Sequence, residues 1–139
     1  MKNTGLREQR DYALFNAYKN ALETKVFRGQ KEAAEWTRKH GAPKFFVSPA
    51  VCAIFMSRIQ KGMPLDGINR LARKKFKELY RRFRRIADEC PDMSILSICE
   101  RIVDEPAPEF YISNDLCRRI INREIIARRE EMAIRFKCK

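Results

Sequence analysis

One string of residues occurs twice in this chain, and a repeat restricts architecture more tightly than composition does. Ala42-Pro43-Lys44-Phe45-Phe46-Val47-Ser48-Pro49-Ala50-Val51-Cys52 returns at an offset of 65 (42 to 107) as Ala107-Pro108-Glu109-Phe110-Tyr111-Ile112-Ser113-Asn114-Asp115-Leu116-Cys117. Its grammar is that of a helix start. Ser48 and Ser113 stand where an N-cap hydroxyl accepts a bond from an orphan amide of the first turn. Pro49 takes the first helical position, where its missing N–H costs nothing. Asp115 sets a carboxylate at the positive end of the second helix dipole. Val47 and Ile112 precede the caps, and Cys52 and Cys117 fall at the fourth helical position, the spacing of a hydrophobic staple. Each copy predicts a turn, a short extended aromatic segment and a helix held at a set angle.

The same offset carried backwards pairs Leu14 with Leu79, Phe15 with Tyr80, Tyr18 with Phe83 and Ala34 with Cys99. From 6–59 against 71–124, apolar positions largely meet apolar positions. This predicts an all-α fold of about six helices, one three-helix unit used twice. The first unit spans 1–61, a linker 62–67 and the second unit 68–139. In a chain of 139 residues each half is marginal alone, so the two are expected to pack as one body.

Taken in order, helical apolar spacing predicts a first helix within 6–27, with Ala13, Leu14, Ala17, Tyr18, Ala21 and Leu22 on one face. A second runs from Lys31 to His40 and stops at Gly41, with Pro43 beyond. The first capped helix runs from Pro49 to about Lys61, burying Val51, Cys52, Phe55, Met56 and Ile59. Asp66 is the expected cap of the longest helix, which ends at Cys90-Pro91. Its stripe of Leu71, Phe76, Leu79, Tyr80, Phe83 and Ile86 is almost unbroken. Ser94 or Asp92 caps a short apolar helix, expected to be the most buried, and a final helix opens at Asn114.

The net charge of +12, from 30 Lys and Arg against 18 Asp and Glu, points to an anionic partner. It is unevenly spread: residues 90–117 hold one basic side chain, Arg101, against six acids, and basic stretches flank them on both sides. The five cysteines have no CxxC spacing and lie mostly among apolar helical residues, which predicts reduced thiols and a cytoplasmic setting. No membrane span and no secretory signal are expected.

The sequence predicts no enzyme, no cofactor and no metal site. The lone His40 beside a helix-ending glycine reads as a cap, and no phosphate loop, metal-ligand spacing or nucleophile elbow occurs. Asp104, Glu105 and Glu109 read as a solvated acidic loop.

Helix, turn and capped helix within a three-helix unit resembles the helix-turn-helix superfamily of DNA-binding proteins. The repeated Ala-Pro-x-Phe-[Phe/Tyr]-[Val/Ile]-Ser string is also similar to that of small basic, largely uncharacterised proteins of bacteria and their mobile elements. The first resemblance implies a non-enzymatic DNA-binding regulator or accessory protein, with the second capped helix reading bases through Arg118, Arg119, Asn122 and Arg123. The matching residues of the first, Ala53, Ile54, Ser57 and Arg58, are poorer readers, leaving Arg58 for phosphate. Arg81, Arg82, Arg84 and Arg85 are then expected to neutralise backbone phosphates. DNA is favoured over RNA. The alternatives are an RNA-binding or nucleoprotein-assembly subunit and an adaptor for an acidic protein partner.

Overall fold

The computed structural model describes residues 5–137, with side chains as far as residue 130. Among these the chain is all helical: α1 (Leu6–Thr24), α2 (Gln30–Lys39), α3 (Pro49–Gln60), α4 (Arg70–Glu89), α5 (Ile95–Ile102) and α6 (Asn114–Lys137). No helix among the described residues is long and apolar enough to cross a membrane.

Capping chemistry sets the helix starts. The hydroxyls of Ser48, Ser94 and Ser113 accept from the amides of Val51, Ser97 and Leu116 at 3.2, 3.1 and 3.1 Å. Gly41 ends α2 with φ +98°, a conformation open to glycine at no steric cost. His40 before it places Nδ1 2.7 Å from the Trp36 carbonyl oxygen, the expected capping role. The start of α4 differs from expectation. Asn69 rather than Asp66 is its cap, with Oδ1 accepting from the Ala72 amide at 2.8 Å. Gly67 at φ +82° turns the chain between them, which places Asp66 outside the helix.

The helices sort into two lobes that cut across the sequence units. α1 and α2 pack on each other and on α6, while α4 and α5 pack on each other and on α3. Among the described residues no close backbone approach joins α3 to α1 or α2, nor α6 to α4 or α5. The capped helices are therefore exchanged, and the units 1–61 and 68–139 are not the packing units. The reason lies in the connection. A short turn would fold α3 back onto α2, whereas the extended segment from Ala42 to Val47 carries it across to the other half.

The two crossing segments meet at the centre of the molecule. Ala42 and Ala107 form an isolated antiparallel bridge, each amide donating to the other's carbonyl at 2.8 and 2.9 Å. The Phe45 amide donates to the Val103 carbonyl and the Phe110 amide to the Arg38 carbonyl, at 3.0 and 3.1 Å. Phe45 stacks on Tyr111 and Phe46 on Phe110, both at 6.1 Å between centroids. These contacts recur at the offset of 65 that the sequence repeat displays. So does the strain: Phe46 and Tyr111 both take positive φ, +55° and +57°. Such a conformation costs about 1–3 kcal/mol for a bulky side chain and persists only where packing imposes it.

Each lobe closes on an apolar centre, with Leu14, Ala33, Cys117 and Ile120 in one and Met56, Leu79, Phe83 and Ile98 in the other, all buried. Full burial of a large apolar side chain contributes about 1.5–3 kcal/mol. The lobes differ at one matched position (11 and 76). Asp11 is buried and bonded to Arg10 and Arg123 at 3.0 and 2.6 Å, whereas Phe76 stacks on Phe55 with centroids 4.0 Å apart. Two apolar expectations fail at the rim. Val51 is 41% and Leu22 48% exposed, while Cys52 and Ala21 beside them are buried, so each lies off the covered face of its helix. The short α5 buries Ile98, Cys99 and Ile102 but leaves Leu96 exposed.

Cys52, Cys99 and Cys117 are buried free thiols and Cys90 is half-buried; Cys138 lies outside the described residues. Burial pushes the Cys117 thiol up to about 11, and a hydrogen bond with Cys99, then burial, pushes Cys52 up as well. At neutral pH Cys52 and Cys117 are protonated packing residues.

Candidate nucleic-acid interface

Helices favour acids in their first turn and bases in their last. α4 inverts the rule. Its first turn holds no acid, and Arg70, Arg73, Lys74, Lys75 and Lys77 crowd its first two turns.

The first turn of α4 lines a cleft of about 950 Å³, with Arg10 of α1, Arg38 and Lys39 of α2, and the segment through Glu109, Tyr111 and Ile112 that leads into α6. Six cations (Arg10, Arg38, Lys39, Arg70, Lys74 and Lys75) line it with one carboxylate, Glu109. Arg38 is buried, its Nε donating to Asn114 Oδ1 at 2.7 Å and its Nη1 to the Ile112 carbonyl at 3.1 Å. It also lies 3.7 Å from Glu109 Oε1. Glu109 Oε2 accepts from Lys74, while no donor among the described residues reaches its buried Oε1. Arg10 is paired with Asp11 and Lys39 with Glu35, each at 3.0 Å. Arg70 and Lys75 form no ion pair among the described residues; Lys75 instead lies over the Phe76 ring, 5.4 Å from its centroid.

The crowding has an electrostatic signature. Burial, and after it the positive charge of Arg10, holds the Lys75 ammonium below its ordinary value. Burial, then the carboxylates of Glu109 and Glu78, pushes the Tyr111 phenol up to about 12, so it stays a neutral hydroxyl at the cleft wall. Like charges held together in a partly desolvated space cost free energy that an anion would relieve.

The residues singled out from sequence fall into two groups. Arg118 and Arg119 are exposed and form no ion pair among the described residues, and Arg118 shares a small pocket with Lys31, Asn114 and the acids Glu35 and Asp115. Arg58 lies over the Phe55 ring, 5.6 Å from its centroid. The others are engaged within the fold. Asn122 Oδ1 accepts from Gln30 Nε2 at 2.7 Å, and Arg123 holds the buried Asp11. On α4, Arg81 pairs with Glu78 at 2.7 Å, Arg84 with Asp88 at 2.9 Å and Arg85 with Glu105 at 3.9 Å.

Arg82 is the most heavily tied. It bonds Glu78 at 2.8 Å, Glu105 at 3.1 Å and the Pro106 carbonyl at 2.8 Å, and lies 4.8 Å from the centroid of the Phe45 ring. It fastens α4 to the crossing segments. Arg82→Ala is expected to lower stability by about 2–3 kcal/mol in urea denaturation, the worth of hydrogen bonds to charged groups at a covered site. Arg81→Ala, mostly solvated, should change it by no more than about 0.5 kcal/mol. Equal effects would remove Arg82 from that role.

Periodicity did not single out Arg38 or Glu109. The reading of Glu109 as part of a solvated acidic loop is corrected: it is 8% exposed and sits between Arg38 and Lys74. The basic crowding from Arg70 to Lys77, with no acid in the first turn of α4 to offset it, is the signal in the sequence that points to the cleft. Among the described residues no group of three or more His, Cys, Asp or Glu could hold a metal ion. The chain matches no family model, no curated protein and no solved structure.

Proposed function

We propose that this protein binds double-stranded DNA without catalysing a reaction, holding backbone phosphates with the first turns of α4 and the adjoining cleft. The observation that carries the reading is the run of Arg70, Arg73, Lys75 and Lys77, which form no ion pair among the described residues, at a helix end whose own dipole is already positive. An anionic backbone is the partner that makes such an arrangement favourable, through charge neutralisation and counterion release. Exposed Arg118 and Arg119 on α6 supply further phosphate contacts.

Two features favour a duplex held by its backbone over the alternatives. Unpaired bases bind by stacking on aromatic rings, but Phe45, Phe110 and Tyr111 are buried, with Phe45 stacked on Tyr111 and Phe110 on Phe46. Base reading by α6 is disfavoured because Asn122 and Arg123 are bonded within the fold. A regulator or accessory protein that works by occupying DNA fits this chemistry.

Competition at fixed salt tests the reading. Unlabelled duplex DNA should displace a labelled duplex at roughly tenfold lower concentration than single strands of the same length, with little dependence on sequence. Preference for single strands or for duplex RNA would favour an RNA-binding role, and no binding of any nucleic acid would leave an acidic protein partner.

A further inference from the structure

We propose that the cleft between the start of α4 and the start of α6 is a site for a phosphate monoester, with the phosphate held by Arg70, Lys74, Lys75 and the first-turn amides of α4. The inference shares the cleft with the DNA-binding reading but does not depend on it.

The argument begins with charge. The acids that bear on the cleft are already shared: Asp11 between Arg10 and Arg123, and Glu109 between Arg38 and Lys74. Adding Glu35 with its partner Lys39 gives three acids against the six lining cations Arg10, Arg38, Lys39, Arg70, Lys74 and Lys75. Six less three leaves about three unbalanced positive charges on a partly covered surface. A backbone diester brings one negative charge, whereas a monoester brings close to two and a third terminal oxygen acceptor.

The donors come next. Asn69 caps α4 through the Ala72 amide, and the Arg73 amide is taken by the Asn69 carbonyl. The amides of Arg70 and Leu71 belong to the turn that lines the cleft, and first-turn amides lack a partner within their own helix. Arg70 adds a planar fork suited to phosphate oxygens. Lys75 adds an ammonium whose charge is disfavoured by burial and then by Arg10, and is favoured when a dianion arrives. The floor is firm, because Arg38 is buried and fixed by Asn114 and Ile112.

The phosphate can belong to a strand end or to a free nucleotide, and the experiment separates them. Isothermal titration of the full-length protein with inorganic phosphate and with a nucleoside monophosphate is set beside anisotropy of labelled duplexes bearing 5′-phosphate or 5′-hydroxyl ends. A strand-end site predicts about tenfold tighter binding of the phosphorylated duplex. A free-ligand site predicts saturable binding of the nucleoside monophosphate, with equal affinity for the two duplexes. In either case Arg70→Gln with Lys75→Met should abolish the effect without lowering the melting temperature, since Arg70 is exposed and Met keeps the contact over Phe76. The proposal is overturned if neither phosphate nor monophosphate binds and the two duplexes bind equally, or if the double variant retains the full effect. Equal binding of both duplexes with no small-ligand binding would leave the DNA-binding reading intact; phosphate binding without any duplex binding would do the reverse.

Discussion

Produced separately, residues 1–61 and 62–139 are each expected to lack cooperative folding as monomers, and mixing them should restore helicity and a single complex. The expectation follows from the exchange of α3 and α6 between lobes. A fragment ending after α3 keeps α1 and α2 but loses the helix that covers Leu14, Ala33 and Ala34. Its own Cys52 and Met56, both fully buried in the intact protein, have nothing to pack against. Uncovering Leu14 and Met56 at about 1.5–3 kcal/mol each, with the smaller losses at Ala33, Ala34 and Cys52, removes a large share of the 5–15 kcal/mol that holds an ordinary domain together. Self-association of the first fragment is compatible with the account, because α3 of a second copy could substitute for α6. A folded monomeric half, seen by circular dichroism with sedimentation, would contradict it.

The second large effect concerns α4. Arg70→Glu with Arg73→Glu should weaken duplex binding by about a hundredfold at moderate salt, since each site turns a phosphate contact into a repulsion. The same pair of changes should stabilise the fold by about 0.3–1 kcal/mol per site, because acids suit the positive end of a helix dipole. Loss of function with gain in stability is the mark of charges kept for binding rather than for folding. If both affinity and melting temperature fall together, the arginines serve the fold and the interface lies elsewhere.

Much of the fold could be read from residues alone because its signals are local. Ser48, Ser94 and Ser113 cap where short-range chemistry requires, Gly41 stops α2, and the stripe of Phe76, Leu79 and Phe83 is buried as its spacing implies. What escaped was non-local. Nothing in the pattern of α3 says whether Met56 faces α2 or α5, since both alternatives bury the same stripe; the crossing at Ala42 and Ala107 decides it. The site escaped for a related reason. Arg82 and Lys74 look alike on the polar flank of one helix, and their roles separate only when Glu105 and Glu109 arrive from a segment more than twenty positions away. Asn122 and Arg123 have side chains able to pair with base edges, but Gln30 and Asp11 from the other end of the chain meet them first.

The salt dependence of duplex binding tests the central claim most directly. Measured from low to physiological ionic strength, log K should fall linearly with log salt, with a slope near −4 to −5 if about five phosphates are neutralised. The Arg70→Glu, Arg73→Glu variant should flatten that slope by about two, whereas Arg84→Gln, whose charge is already spent on Asp88, should leave it unchanged. A slope near zero, or one that Arg70 and Arg73 do not influence, would show that the positive end of α4 is not where this protein meets a polyanion.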